Sequence, residues 1–183
     1  MNKTKLSGIA LAFALSFGSF PGHAEVMVGG AEMYPSKNII ENAVDSKDHT
    51  TLVAAVKAAG LVDTLKGRGP FTVFAPTNEA FAALPSGTVE SLLKPENKAM
   101  LTHVLTYHVV AGNLDAVTLK RQINAGDGKA VVKAVAGNTL TATASGDTIT
   151  VTDDKGDASK VTIANVRQSN GVIHVVDHVL LPN

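Results

Sequence analysis

Cysteine is absent from all 183 residues. That excludes a disulfide framework, a thiol nucleophile, thiolate metal ligands and an acylated lipobox cysteine. An excess of charge of one sign is also lacking: 16 Lys and Arg balance 16 Asp and Glu. Bulk electrostatics therefore draws the chain to neither nucleic acid nor anionic membrane. The familiar reactive frames are missing too. There is no Gly-x-Ser-x-Gly elbow, no Gly-x4-Gly-Lys-Ser/Thr loop and no EF-hand spacing around Asp153, Asp154 and Asp157, so no catalytic residue and no cofactor are assigned. The three aspartates read as a solvated hairpin turn.

The first residues carry a different signal. Lys3 and Lys5 precede an apolar stretch from Leu6 to Phe20, and Gly22 and Ala24 stand at the −3 and −1 places of a cleavage site. This order is that of a secretory signal peptide over residues 1–24. The apolar stretch is too short, and too broken by Ser16, Gly18 and Ser19, to span a membrane. Cleavage after Ala24 removes two lysines, leaving a mature chain of formal charge −2. The expected location is periplasmic or extracellular, with no transmembrane anchor after cleavage. Without cysteine, such a chain is held by core burial alone.

Residues 25–35, with Gly29-Gly30, are aperiodic and read as a flexible lead-in. One domain is expected over 36–183. Ser36 is placed to cap a short helix bearing Ile39, Ile40 and Val44. A second helix carries Leu52, Val53, Val56 and Ala59. Phe71-Thr72-Val73-Phe74-Ala75 is a strand signal ended by Pro76. Thr77 or Asn78 can cap the helix that follows. A further helix, opened by Pro95, shows Met100, Leu101, Val104 and Leu105 as its apolar face. The segment Leu114–Ile123 suits about one helical turn.

The second half reads as strands. Leu140/Ala142, Ile149/Val151 and Val161/Ile163 alternate with polar residues between turn pairs such as Gly137-Asn138 and Gly146-Asp147. The strand at Phe71 must pair with this half, because a lone strand is not stable. The fold class is α+β. Both faces of that strand are largely apolar, so it is expected to be central and covered on two sides. In the last block Val172, His174 and Val176 share one face and Ile173 and Val175 the other. Asn170-Gly171 suits a tight turn with positive φ.

Three stretches in order resemble the fasciclin (FAS1) family: Gly69 through Phe81, containing Phe71, Thr72, Phe74, Ala75, Pro76, Thr77, Asn78 and Phe81; the pair Tyr107-His108; and Asn170-Gly171-Val172-Ile173-His174-Val175-Val176-Asp177. The resemblance covers nearly all of 36–183 and is nearest to single-domain secreted bacterial members. It implies a wedge of two β-sheets capped by several short α-helices. It also implies non-catalytic adhesion to a cell surface or matrix, or protein–protein contact, by a monomer whose partner the sequence does not identify. In animal members the Tyr-His region is tied to integrin-dependent adhesion. Here Tyr107 and His108 are candidates for a contact surface or, by the reading favoured on physical grounds, a structural junction in which His108 bonds Thr77 or Asn78. The family's acidic Asp-Ile pair corresponds to Asn165-Val166, which lacks the charge. The five mature histidines do not suggest a metal site. His174 and His178, for instance, would lie about 13 Å apart along a strand, and surface positions are expected for them. A crevice between helical cap and sheet would suit the alternative role of a periplasmic small-ligand carrier or sensor.

Overall fold

A computed structural model describes residues 26–183; the leader assigned to 1–24 lies outside the described residues. The chain runs through β1 (Val26–Val28), β2 (Ala31–Met33), α1 (Ile39–Ala43), α2 (Thr50–Ala59) and α3 (Val62–Lys66) to β3 (Phe71–Pro76). Then come α4 (Asn78–Ala82), α5 (Thr88–Leu92), α6 (Lys98–Tyr107), β4 (Val109–Ala111) and α7 (Ala116–Ala125). Strands β5 (Lys129–Lys133), β6 (Thr139–Ser145), β7 (Thr148–Thr152), β8 (Ala158–Gln168) and β9 (Gly171–Val176) complete it.

Seven strands form one mixed sheet in the order β4-β3-β9-β8-β7-β6-β5. Only β3 and β9 pair in parallel, Phe71 opposite Gly171 through Pro76 opposite Val176. The 11-residue β8 pairs with β7 at its start and with β9 over the rest, with register shifts around Ile163. Such irregularities bend a strand, so β8 carries the sheet from one layer of the wedge to the other. The outer ends meet: Val110 bridges Ala134, and Val135 N donates to Val109 O at 2.7 Å. The two layers of the expected wedge are thus halves of one nearly closed sheet.

Alternation along the central strands sorts side chains into two cores. Val73 and Ala75 of β3, with Ile173 and Val175 of β9, face the helices and pack with Leu52, Val56, Leu101 and Leu105. Phe74 and Val176 point into the bend of the sheet, where they meet Tyr107, Leu119, Leu140, Ala142, Ile149 and Val151. Covering on both faces is what two-sided apolar strands require. Gly171 serves this pairing by its size. A Cβ there would lie 2.0 Å from Phe71 O, and φ is not positive, so close approach of β3 and β9, not turn geometry, demands glycine.

Several local expectations are corrected. The flexible lead-in expected over 25–35 is corrected in its described part, 26–35: β1 and β2 form a hairpin, and Val28 and Met33 are buried in the helical core. The Gly29-Gly30 pair that looked like a flexible stretch supplies the turn, both residues having positive φ. Helix α1 is capped by Asn38, not Ser36, through a reciprocal capping box with Glu41. Leu114–Ile123 holds most of a ten-residue helix, α7, capped by Asp115. Met100 is 61% exposed, so the buried face of α6 is Leu101, Val104 and Leu105.

Candidate functional site

Of the residues singled out by sequence, Tyr107, His108, Val166 and His174 are buried, whereas Thr77, Asn78, Asn165, Asn170 and Asp177 are half-buried. Tyr107 is fully buried. Its hydroxyl donates to Thr139 O at 3.1 Å and accepts from Asp154 N at 3.0 Å, tying α6 to β6 and to the β7–β8 turn. Burial pushes its pKa up to about 12, the Asp153 and Asp154 carboxylates adding to the rise and the Asp154 amide opposing it.

His108 follows as the C-cap of α6. Its Nε2 lies 3.0 Å from Leu180 N and its Nδ1 2.8 Å from Val104 O. A backbone N–H only donates, so Nε2 must accept; Nδ1 then carries the proton and donates to a helix-end carbonyl that otherwise lacks a partner. The ring is neutral in this arrangement. Burial, opposed by the Val104 carbonyl and Asp153, lowers its pKa to about 4. Thr77 and Asn78 are not its partners, contrary to expectation. Thr77 caps α4 by accepting from Ala80 N, while Asn78 accepts from Thr51 N at the start of α2 and donates to Lys47 O.

His174 uses the opposite tautomer. Asn165 N donates to Nδ1 at 3.4 Å, so Nε2 carries the proton and donates to Leu114 O at 2.8 Å. The ring stacks on Phe74 at 5.7 Å. Burial lowers its pKa, with the Leu114 carbonyl and Asp115 pulling the other way. Next to it, Thr72 donates to Gly112 O and accepts from Leu114 N. These bonds fasten the β4–α7 connection to β3 and β9.

Asn165 sits in the irregular part of β8 with φ 61° and accepts from Ala116 N, the first residue of α7, at 2.7 Å. Asp115 accepts from Thr118 N, so two side chains satisfy the amides of one helix end. Val166 is 1% exposed. The Asn165-Val166 position is therefore a helix anchor and a core residue. Asn170 joins three elements, accepting from Ile39 N and donating to Leu65 O and Gly67 O. Asp177 accepts from Lys160 N at 2.8 Å.

Other groups emerge only in three dimensions. Asp153 is buried, not part of a solvated turn. It accepts from Lys155 N and Asp157 N through one oxygen and from Leu181 N through the other. Ser159 Oγ donates to His178 O and accepts from His178 N. With His108 on Leu180, these bonds strap the C-terminal segment across the sheet. The acidic, glycine-containing run at Asp153 was the only sequence signal for it. Of the five described histidines, His49 and His174 are buried against the surface placement expected of them, His108 is buried as well, and His103 and His178 are exposed. Among the described residues, no group of three His, Asp or Glu side chains could hold a metal ion. No described helix is long and apolar enough to cross a membrane.

The chain is similar to known proteins over this whole framework. A family model for the fasciclin domain matches residues 47–182. Protein sll1483 of Synechocystis sp. is 49% identical over 158 residues, covering 85% of this chain and 79% of that protein. Immunogenic protein MPT70 of Mycobacterium tuberculosis is 35% identical over 145 residues, or 76% of this chain and 66% of that protein. Among solved structures, a FAS1 domain pair from the insect cell adhesion molecule fasciclin I matches with a TM-score of 0.69 at 16% identity, covering 79% of this chain. The chain spans about half of that domain pair, 51%, and the likeness is one of fold.

Proposed function

Because the chain belongs to the fasciclin domain family, we propose that it is an exported, non-catalytic binding module for cell-surface or matrix adhesion or protein–protein contact. One observation carries this reading. The polar side chains of the recognised blocks, from Thr72 and Thr77 to His108, Asn170 and His174, bond within the fold. They form a scaffold, and such a scaffold acts through its exterior. The leader pattern over residues 1–24 supports export.

The seam between β4 and β5 is the surface best suited to contact. Val131 is 69% and Val135 48% exposed there, beside Lys133 and Gln122. An apolar centre with a polar rim is common at protein interfaces. The test is retention of mature protein on host surfaces and on isolated matrix, compared with a Val131→Lys, Val135→Glu variant. Loss of retention at an unchanged melting temperature is expected. Equal retention by the variant places the contact elsewhere, and no retention of either protein, with no adhesion defect in a deletion strain, rejects adhesion.

A further inference from the structure

Strand β5 ends the sheet, and over most of its length it is paired on one side only. In its antiparallel pair with β6, Lys129 lies opposite Thr143 and Lys133 opposite Thr139. Just past β5, Ala134 N donates to Asn138 O at 2.9 Å, continuing the same ladder. Backbone groups alternate sides along a strand. Those of Ala130, Val132 and Ala134 therefore point to β6, and those of Lys129, Val131 and Lys133 point away from it, toward the seam with β4.

The seam closes at one end. Val135 N reaches Val109 O, and Val110 bridges Ala134. At the far end of β5, Lys129 N donates back to Gly126 O at 3.1 Å. Between these points the N–H and C=O of Val131 meet no partner among the described residues. A groove of about 350 Å³ runs beside them, lined by Val110, Ala111, Leu114 and Gln122 together with β5. The Gln122 side chain is exposed and makes no hydrogen bond among the described residues, so its amide is free to donate and accept there.

An open strand edge is matched by another extended backbone, and the side chains narrow the choice. The exposed face of β5 presents Lys129, Val131 and Lys133, with Val131 69% exposed. The lysines stand about 13 Å apart by the rise of a strand. On β6 the residues opposite are Thr143, Thr141 and Thr139. Neither lysine is ion-paired to a carboxylate among the described residues. A second copy of this chain is a poor match. Antiparallel pairing about Val131 sets Lys129 against Lys133 twice, and parallel pairing in register sets each lysine against its own copy. Like charges directly opposite are destabilising. Edge lysines thus guard against self-pairing, and the same charges favour an acidic strand.

We propose that β5 binds an extended segment of a partner protein in which two acidic residues flank an apolar one at alternate positions. The backbone of that segment bonds Val131 N and O, and its carboxylates meet Lys129 and Lys133. This rests on the reading of the seam as the contact surface and names the kind of partner the seam takes.

The probe is a blocked peptide, Thr-Glu-Thr-Val-Thr-Glu-Thr, titrated into isotope-labelled mature protein and followed by NMR. The same peptide with Lys in place of Glu is the control. Saturable amide shifts at Val131 and Lys133 are expected, with slowed hydrogen exchange at Val131 N. The double variant Lys129→Glu, Lys133→Glu should weaken the Glu peptide roughly tenfold and reverse the preference between the two peptides. Val131→Pro removes the outward N–H, which an edge strand tolerates, so binding should be lost at an unchanged melting temperature. A peptide methylated at the nitrogen of its central valine tests the same pairing without altering the protein, and it should not bind. Lack of saturation at millimolar peptide, equal affinity for both peptides, or undiminished binding of the methylated peptide would overturn the proposal. Peptide binding by a protein that is not retained on host surfaces would support the strand site and reject adhesion, so the two readings fail separately.

Discussion

The two cores of this domain solve the same problem differently. In the bend of the sheet, Phe74, Tyr107, Leu119, Leu140 and Val151 are fully enclosed. The polar groups beside them, the Tyr107 hydroxyl and the His174 ring, are bonded to backbone atoms. On the helical side, the packing leaves a mainly aliphatic cavity between α1–α3 and the strands β3 and β9. The difference follows from the elements involved. Strands in register place residues at fixed spacing, so polar atoms meet backbone partners repeatedly. The helices α1, α3, α4 and α5 have five residues each, and short helices joined by turns leave irregular gaps between them. The core in the bend of the sheet is sealed, and the helical one is open.

The contrast can be broken most severely at Phe74. Phe74→Ala removes a fully buried ring from the sealed core and the stacking partner of His174; a loss of about 3–5 kcal/mol is expected from denaturant unfolding. Acid is the next strongest probe. The folded His108 pKa, about 4, lies below the unfolded value of about 6.5. The unfolded chain therefore binds protons first as pH falls. Stability should be full above about pH 6.5, fall progressively toward pH 4, and lose this slope below it. His49 and His174, whose pKa values are also lowered, act in the same direction. Circular dichroism melts across this range measure it, and a flat profile would contradict buried neutral histidines.

Asn170→Ala removes bonds to Ile39 N, Leu65 O and Gly67 O. It should cost about 1–3 kcal/mol, read as a lower denaturant midpoint at unchanged slope. The smallest effect is expected in the open core. His49→Leu removes the ring's bond to Ser46 and places hydrocarbon beside an aliphatic cavity, and stability should change by less than about 1 kcal/mol. A large loss there would mean that the bonds of His49 to Ser46 and to the Ala75 backbone hold the helical core, and the contrast between the cores would weaken accordingly.

Much of the framework was legible beforehand. The strand at Phe71, the two-faced alternation of Val172–Val176 and the hairpin pairs around Leu140 and Ile149 follow from period-two patterning and turn residues. His108 lies buried at the helix-to-strand junction, with partners other than those expected. What could not be read were matches between distant polar groups. His108 bonds an amide 72 positions away, and Asn170 bonds one 131 positions away. Asp153 looked like a solvated turn because nothing local shows that Leu181 will lie across it. The hairpin of β1 and β2 was missed because three-residue strands carry almost no periodicity.

The sequence by itself determined the elements whose causes act over a few residues: caps, turns, strand alternation and the recognisable blocks. Tertiary structure alone decided that His108 and His174 turn inward, that Asn165 anchors α7, and that His49 is buried beside an unfilled space. The physical reason is range. A cap or a pleat is set by neighbours in the chain, whereas a hydrogen-bond partner or a gap is set by which surfaces the whole fold brings together.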